Sequence, residues 1–279
     1  MSSLSSTIPH LVSTLSSSMS PTAQPSEINL ALSCFVAYLN AGQLSHTELT
    51  TLYPCLLPHV SRSETVIAAA SALEELIERA SGTSEMGGGG GSGVTRFVNR
   101  QRTTELVRGW VDGPYVRQVT EQAIAEAREG ADPDDEAVAV FKLVSTLGDH
   151  LILNFLFDPP PPSTQVDPTE VLTLAHPSVH AFLSLLLALS TFPGYSSEAY
   201  AVNELPMGCW MYLQELGADD GFMPGPGDGR EGRPGREAEW TVYRGVFAAL
   251  ADGLRSRATR PREDEFFSWP KGECFLQQD

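Results

Sequence analysis

Apolar residues recur along this chain at steps of three and four, the spacing of a helix buried along one face. Over 28–39, Ile28, Leu32, Phe35, Val36 and Leu39 fall on one side. Gly42 closes that helix, and Ser45 is placed to cap the next, over 46–60. Ser63 is placed to cap a third, with Val66, Ile67, Ala70, Leu73 and Ile77 on one stripe. The pattern predicts further helices over 94–111 and over 114–130, the second with Pro114 in its first turn. Before the next helix, Asp132 offers an N-cap, Pro133 an N1 proline, and Asp134, Asp135 and Glu136 acids for the dipole. That helix is predicted to continue to 157, and others follow over 169–175, 177–192, 200–216 and 237–258. No run alternates with period two, so no strand is expected.

The helices are punctuated by three stretches rich in Gly and Pro, at 82–93, 158–168 and 217–236, which read as flexible inserts. Residues 1–26 are rich in Ser and Thr and read as a partly disordered N-terminal segment. Helix starts near 27, 46 and 63 pair up, and a pair every ~40 residues is the period of HEAT or armadillo arrays. One pair alone leaves its apolar stripe in water; stacked neighbours bury it. The expected fold is therefore all-α: an α-solenoid of HEAT-like antiparallel helix pairs over 27–279.

Composition narrows the function classes. Apolar residues make up 42% of the 279, enough for a sizeable core. The net charge of −17 disfavours direct nucleic-acid binding, because phosphate repels it, and favours basic partners. Cys34, Cys55, Cys209 and Cys274 contain no CxxC pair, which argues against a zinc ribbon or a disulfide framework. The first residues lack a basic n-region and a continuous apolar core, so no signal peptide is read there. The longest apolar run, 181–192, is too short for a ~20-residue span, and no membrane insertion is expected.

Catalytic and ligand motifs do not accumulate. His176 and His180 stand four apart, a one-face metal spacing, but no acid lies between them and no third ligand is indicated. Asp149-His150 has no turn of the GxSxG kind to present a nucleophile; a polar turn beside Gly148 is the preferred reading. The glycines of 87–93 lack the Lys-Ser/Thr of a phosphate loop. Pro159–Pro162 reads as a spacer, with a polyproline ligand the less favoured alternative. Arg96, Arg100, Arg102 and Arg108 make a local basic face. No enzyme activity, cofactor or metal is expected.

One segment carries a resemblance. Pro193-Gly194, then Val202-Asn203-Glu204, Trp210 and Leu213-Gln214-Glu215 resemble a recurring segment of the karyopherin-β family, in its importin-13/transportin-3 branch. Upstream, Leu147, Gly148, Asp149 and His150 resemble a helix of that branch; downstream, Asp264, Glu265, Phe267 and Trp269 resemble its acidic, aromatic segment. The series is collinear over 27–279. Pro206, Gly208 and Cys209 depart from the pattern, and Pro206 at N1 of the aromatic helix reconciles the first.

The resemblance implies a nuclear transport receptor that binds protein cargo under Ran-GTP control and works between nucleus and cytoplasm. Members are much longer, so the chain is expected to correspond to a central slice. Ran GTPase and nucleoporins would then be partners of the full-length receptor. Inner-face acids, with Glu74, Glu75 and Glu78 the candidates, would attract basic cargo segments. The alternative is a free-standing helical-repeat scaffold or adaptor.

Overall fold

The computed structural model describes residues 8–81, 100–149, 174, 176–194, 197–218 and 236–258. Every regular element among them is a helix, so the chain is all-α as its periodicity predicts. They fall into two compact units, one within Met1–Val119 and Asp135–Leu172, the other within Thr120–Asp134 and Thr173–Asp279. The inserts at 82–93 and 158–168, and most of 217–236, lie outside the described residues. So do the predicted stretches 94–99, 150–157 and 169–173, and the residues His150, Asp264, Glu265, Phe267, Trp269 and Cys274.

The first unit opens with α1, Ile8–Ser18. It lies inside the Ser/Thr-rich stretch, where short hydroxyl side chains mask its stripe, yet it buries Leu15, and Met19 beyond it is fully enclosed. The chain reverses through 19–24 into α2, Pro25–Asn40, with Pro25 in the first turn. The core face of α2 is Ile28, Ala31, Leu32, Phe35 and Leu39. Ser45 and Glu48 form a reciprocal capping box at the start of α3, His46–Leu56, the Ser45 amide donating to Glu48 at 2.7 Å. Pro54 lies inside α3, and the chain then tightens into a 3₁₀ turn, Leu57–Ser61.

Ser63 does not cap the following helix. α4 runs Val66–Ser81, and the Ser63 hydroxyl donates instead to the Glu136 carboxylate. After α5, Arg100–Leu106, the ladder widens into a π turn, Val107–Val111, which swings Trp110 inward. Its indole N–H donates to the Val60 carbonyl at 2.9 Å. α6, Pro114–Arg128, starts at Pro114 as predicted. Gly130, at φ 90°, terminates it in a conformation that a side chain resists. α7 then spans Asp135–Leu147, later than the cap reading of Asp132 and Pro133 placed it; its first turn is fixed by Glu136, which accepts from Tyr115 at 2.7 Å.

Within this unit the helices form two rows. α1 and α3 pack together, and the buried His59 just past α3 donates from Nε2 to the carbonyl of Met19 just past α1, at 2.9 Å. α5 continues that row, with the Arg102 guanidinium 5.8 Å from the Tyr53 ring centre in α3. The second row is α2, α4 and α7. Asn29 near the start of α2 reaches the Glu64 carbonyl just before α4, at 3.1 Å, and Asn40 at its end meets Arg79 at the end of α4, at 2.9 Å. The Ser63–Glu136 bond likewise joins the start of α7 to the approach to α4. The three helices of this row therefore run parallel.

The second unit is built on α8, Pro177–Ser190, whose Phe182, Leu183, Leu186 and Leu189 are buried with the following Phe192. The aromatic segment is split into α9, Ser197–Glu204, and α10, Met207–Ala218, because Pro206 has no N–H to continue a ladder. Pro206 stands one residue before the helix rather than at N1, and its carbonyl takes the Trp210 amide at 3.2 Å. α11, Arg236–Ala258, packs on α8.

Candidate interaction surface

The three predicted acids lie on one stretch of α4, but their environments differ. Leu73, Leu76 and Ile77 face the core. Glu78 is exposed, and Glu74 and Glu75 are half-buried. Glu75 pairs with Arg79 one turn later at 2.8 Å, and Arg79 also donates to Asn40 of α2, so this carboxylate is held at the α2–α4 seam. Glu74 faces the opposite seam. Burial raises its pKa to about 7; Lys142 of α7 pulls it back and Glu78 pushes it further up. Its Oε1 is buried without a hydrogen-bond partner. At neutral pH Glu74 is thus only partly ionised, and Glu78 presents its carboxylate most openly.

The structure adds apolar residues that the periodicity did not assign to a surface. Ile67, read as part of the core stripe, is 50% exposed, because the stripe facing inward is Val66, Ala69, Ala70 and Leu73. Leu30 of α2 is 66% exposed and Tyr38 reaches solvent farther along the same helix. Both lie off the apolar stripe of α2, and that offset was the available signal. Glu78, Ile67, Leu30 and Tyr38 therefore project from neighbouring helices of one row, with Lys142 exposed on the third.

The remaining sequence candidates are dispersed. The ring of His176 caps α8, its Nδ1 accepting from the Ser178 amide at 3.1 Å, while His180 is exposed. Among the described residues no group of three or more His, Cys, Asp or Glu is arranged to hold a metal ion. Arg102 lies over Tyr53, whose phenol is pushed up chiefly by burial, then by Glu105, with Arg102 opposing. Arg108 is exposed, and Arg96 lies outside the described residues.

In the second unit, Trp210 is a core residue. Its indole N–H donates to Ser190 Oγ at 2.7 Å, and that hydroxyl donates on to the Leu186 carbonyl at 2.9 Å. Val202 and Leu213 of the resemblance are buried too, Asn203 bonds the Ala199 carbonyl at 2.6 Å, and Gln214 and Glu215 are exposed. Arg257 of α11 closes the end of α8, donating to the carbonyls of Phe192 and Gly194 and lying over the Tyr200 ring. Met211 and Tyr212 project from the outer side of α10. No described helix is long and apolar enough to cross a membrane. Comparison with family models, with characterised proteins and with solved structures finds no match to this chain.

Proposed function

We propose that the chain is part of a helical-repeat receptor whose α2–α4–α7 row receives a protein ligand, and that the receptor is a karyopherin-β-like carrier. The observation that carries the repeat reading is the order of the first unit. Alternate helices lie side by side, α1 with α3 and α2 with α4 and then α7, and the second row runs in one direction. Tandem antiparallel pairs produce this order, since equivalent helices of successive pairs point the same way. The carrier reading rests on the collinear residues around Gly148, Trp210 and Glu215, where buried Val202, Trp210 and Leu213 supply packing reasons for part of that pattern.

Binding is then the whole of the activity. A cargo segment on this row would meet Leu30 and Ile67 for apolar contact and Glu78 for charge, with Glu74 and Glu75 drawn away into the helix seams. The test uses the complete gene product. Protein captured from lysate and released by GTP-locked Ran supports transport. Capture indifferent to Ran rejects transport in favour of the scaffold reading. A Glu78→Lys, Ile67→Ser variant with unchanged capture removes this row from the contact.

A further inference from the structure

We propose that Glu74 is a proton-operated contact: the seam between α4 and α7 closes over its neutral carboxyl and is loosened when the side chain ionises. α4 and α7 make the most extensive helix pair of the first unit, and Glu74 of α4 is partly buried within electrostatic reach of Lys142 of α7. Its Oε1 is enclosed with no donor to meet it, so ionisation places charge on an atom that neither water nor protein solvates well.

The charged surroundings are few. From α7, Lys142 offers the one attraction, and it is solvent-exposed, which weakens its hold. Asp135 and Glu136 sit at the start of α7, where Glu136 is taken by Ser63 and Tyr115, and Asp149, with a buried Oδ1, stands just past its end. α2 carries only Glu27, at its opposite end, with Cys34 and Tyr38 as its other titratable groups. The 3₁₀ turn contributes His59, bonded to Met19. On α4 itself Glu78 repels, while Glu75 and Arg79 satisfy each other. Attraction is therefore weaker than the cost of burial, and the carboxyl holds its proton to about pH 7.

The sign follows from linkage. A carboxyl whose folded value lies above its unfolded one makes the folded state bind more protons. Its contribution is favourable at acid pH. It is lost as pH rises from the ordinary glutamate value toward about 7, and no further change follows above that.

The experiment is a carbon-13 titration of the glutamate carboxyls in the full chain, with the Glu74 signal assigned by its absence in Glu74→Gln. The expected inflexion lies near 7, moving upward in Lys142→Met. In parallel, the urea midpoint of wild type relative to Glu74→Gln should fall between pH 4.5 and 7.5 and then level off. Amides of α4 and α7, corrected for intrinsic exchange, should open faster at pH 8 than at pH 5.5 in wild type only. A Glu74 inflexion below 5 overturns the proposal, as does a Glu74→Gln variant whose pH dependence matches wild type.

Discussion

Replacing Ser190 by Ala tests whether Trp210 is held in the second unit by its hydrogen bond or by shape alone. The indole is 4% exposed and Ser190 fully buried, with 2.7 Å between Nε1 and Oγ. Ser190→Ala leaves a buried N–H with no acceptor, which costs roughly 1–3 kcal/mol. Trp210→Phe removes the donor, and Ser190 keeps its bond to Leu186. That loss is about 1 kcal/mol for the bond. A void where the larger ring stood adds roughly 1–2 kcal/mol, partly offset by the retained edge contact with Phe247, whose ring centre lies 6.1 Å away. If the bond carries the energy, the double variant costs about 1–1.5 kcal/mol less than the sum of the singles, since neither partner is then left alone. Urea unfolding followed by circular dichroism on all four proteins measures this. At roughly 2–4 °C per kcal/mol each single change should also be visible in a thermal melt. Additivity within about 0.5 kcal/mol, or a neutral Ser190→Ala, would refute the reasoning and leave Trp210 as a packing residue.

Gly217→Ala places a methyl group against the Tyr243 ring, 2.7 Å from its Cε2, and should destabilise by roughly 1–3 kcal/mol in calorimetry, with recovery in a Tyr243→Ala background. Because Tyr243 stacks on Trp240 at 5.2 Å and meets Phe247 at 4.7 Å, the same change should alter near-ultraviolet circular dichroism. His59→Leu removes the imidazole N–H from the Met19 carbonyl and should cost roughly 1–3 kcal/mol, with hydrogen exchange accelerated in α1 more than in α7. Arg79→Met breaks a half-exposed pair with Glu75 and should change stability by less than about 1 kcal/mol, an effect that salt diminishes.

Helical periodicity and end signals are strong guides to the fold: Ser45 and Pro114 mark ends where the structure has them. Misplaced ends came from side chains recruited elsewhere. Ser63 is taken by Glu136, which lies 73 residues away in sequence, so no local rule sees that bond. Ile67 belongs to the helical stripe by spacing, but the core lies some way around the helix from it, and only the neighbours α2 and α7 decide that direction. The π turn that seats Trp110 has no signature a wheel would show, because the wheel assumes a constant pitch. The candidate acids were legible as a cluster. Their unequal character was not, since it depends on Arg79 beside one, Lys142 across from another, and the depth at which each sits.

The common direction of α2, α4 and α7 gives their row an electrical polarity. In an up-and-down bundle neighbouring dipoles oppose; here three add, each equivalent to about half a charge at either end. The leading edge meets this with Glu27, Glu64, Asp135 and Glu136 at or just ahead of the helix starts. The trailing edge has less to answer it: α2 has no base in its last turn and α4 has Arg79, already shared with Glu75 and Asn40. At the leading edge those carboxylates outweigh the three half-charges, while at the trailing edge the carbonyl ends meet one base, Arg79, in the last turns of the three helices; the two edges are thus answered unequally, although the backbone sets the same polarity in each helix.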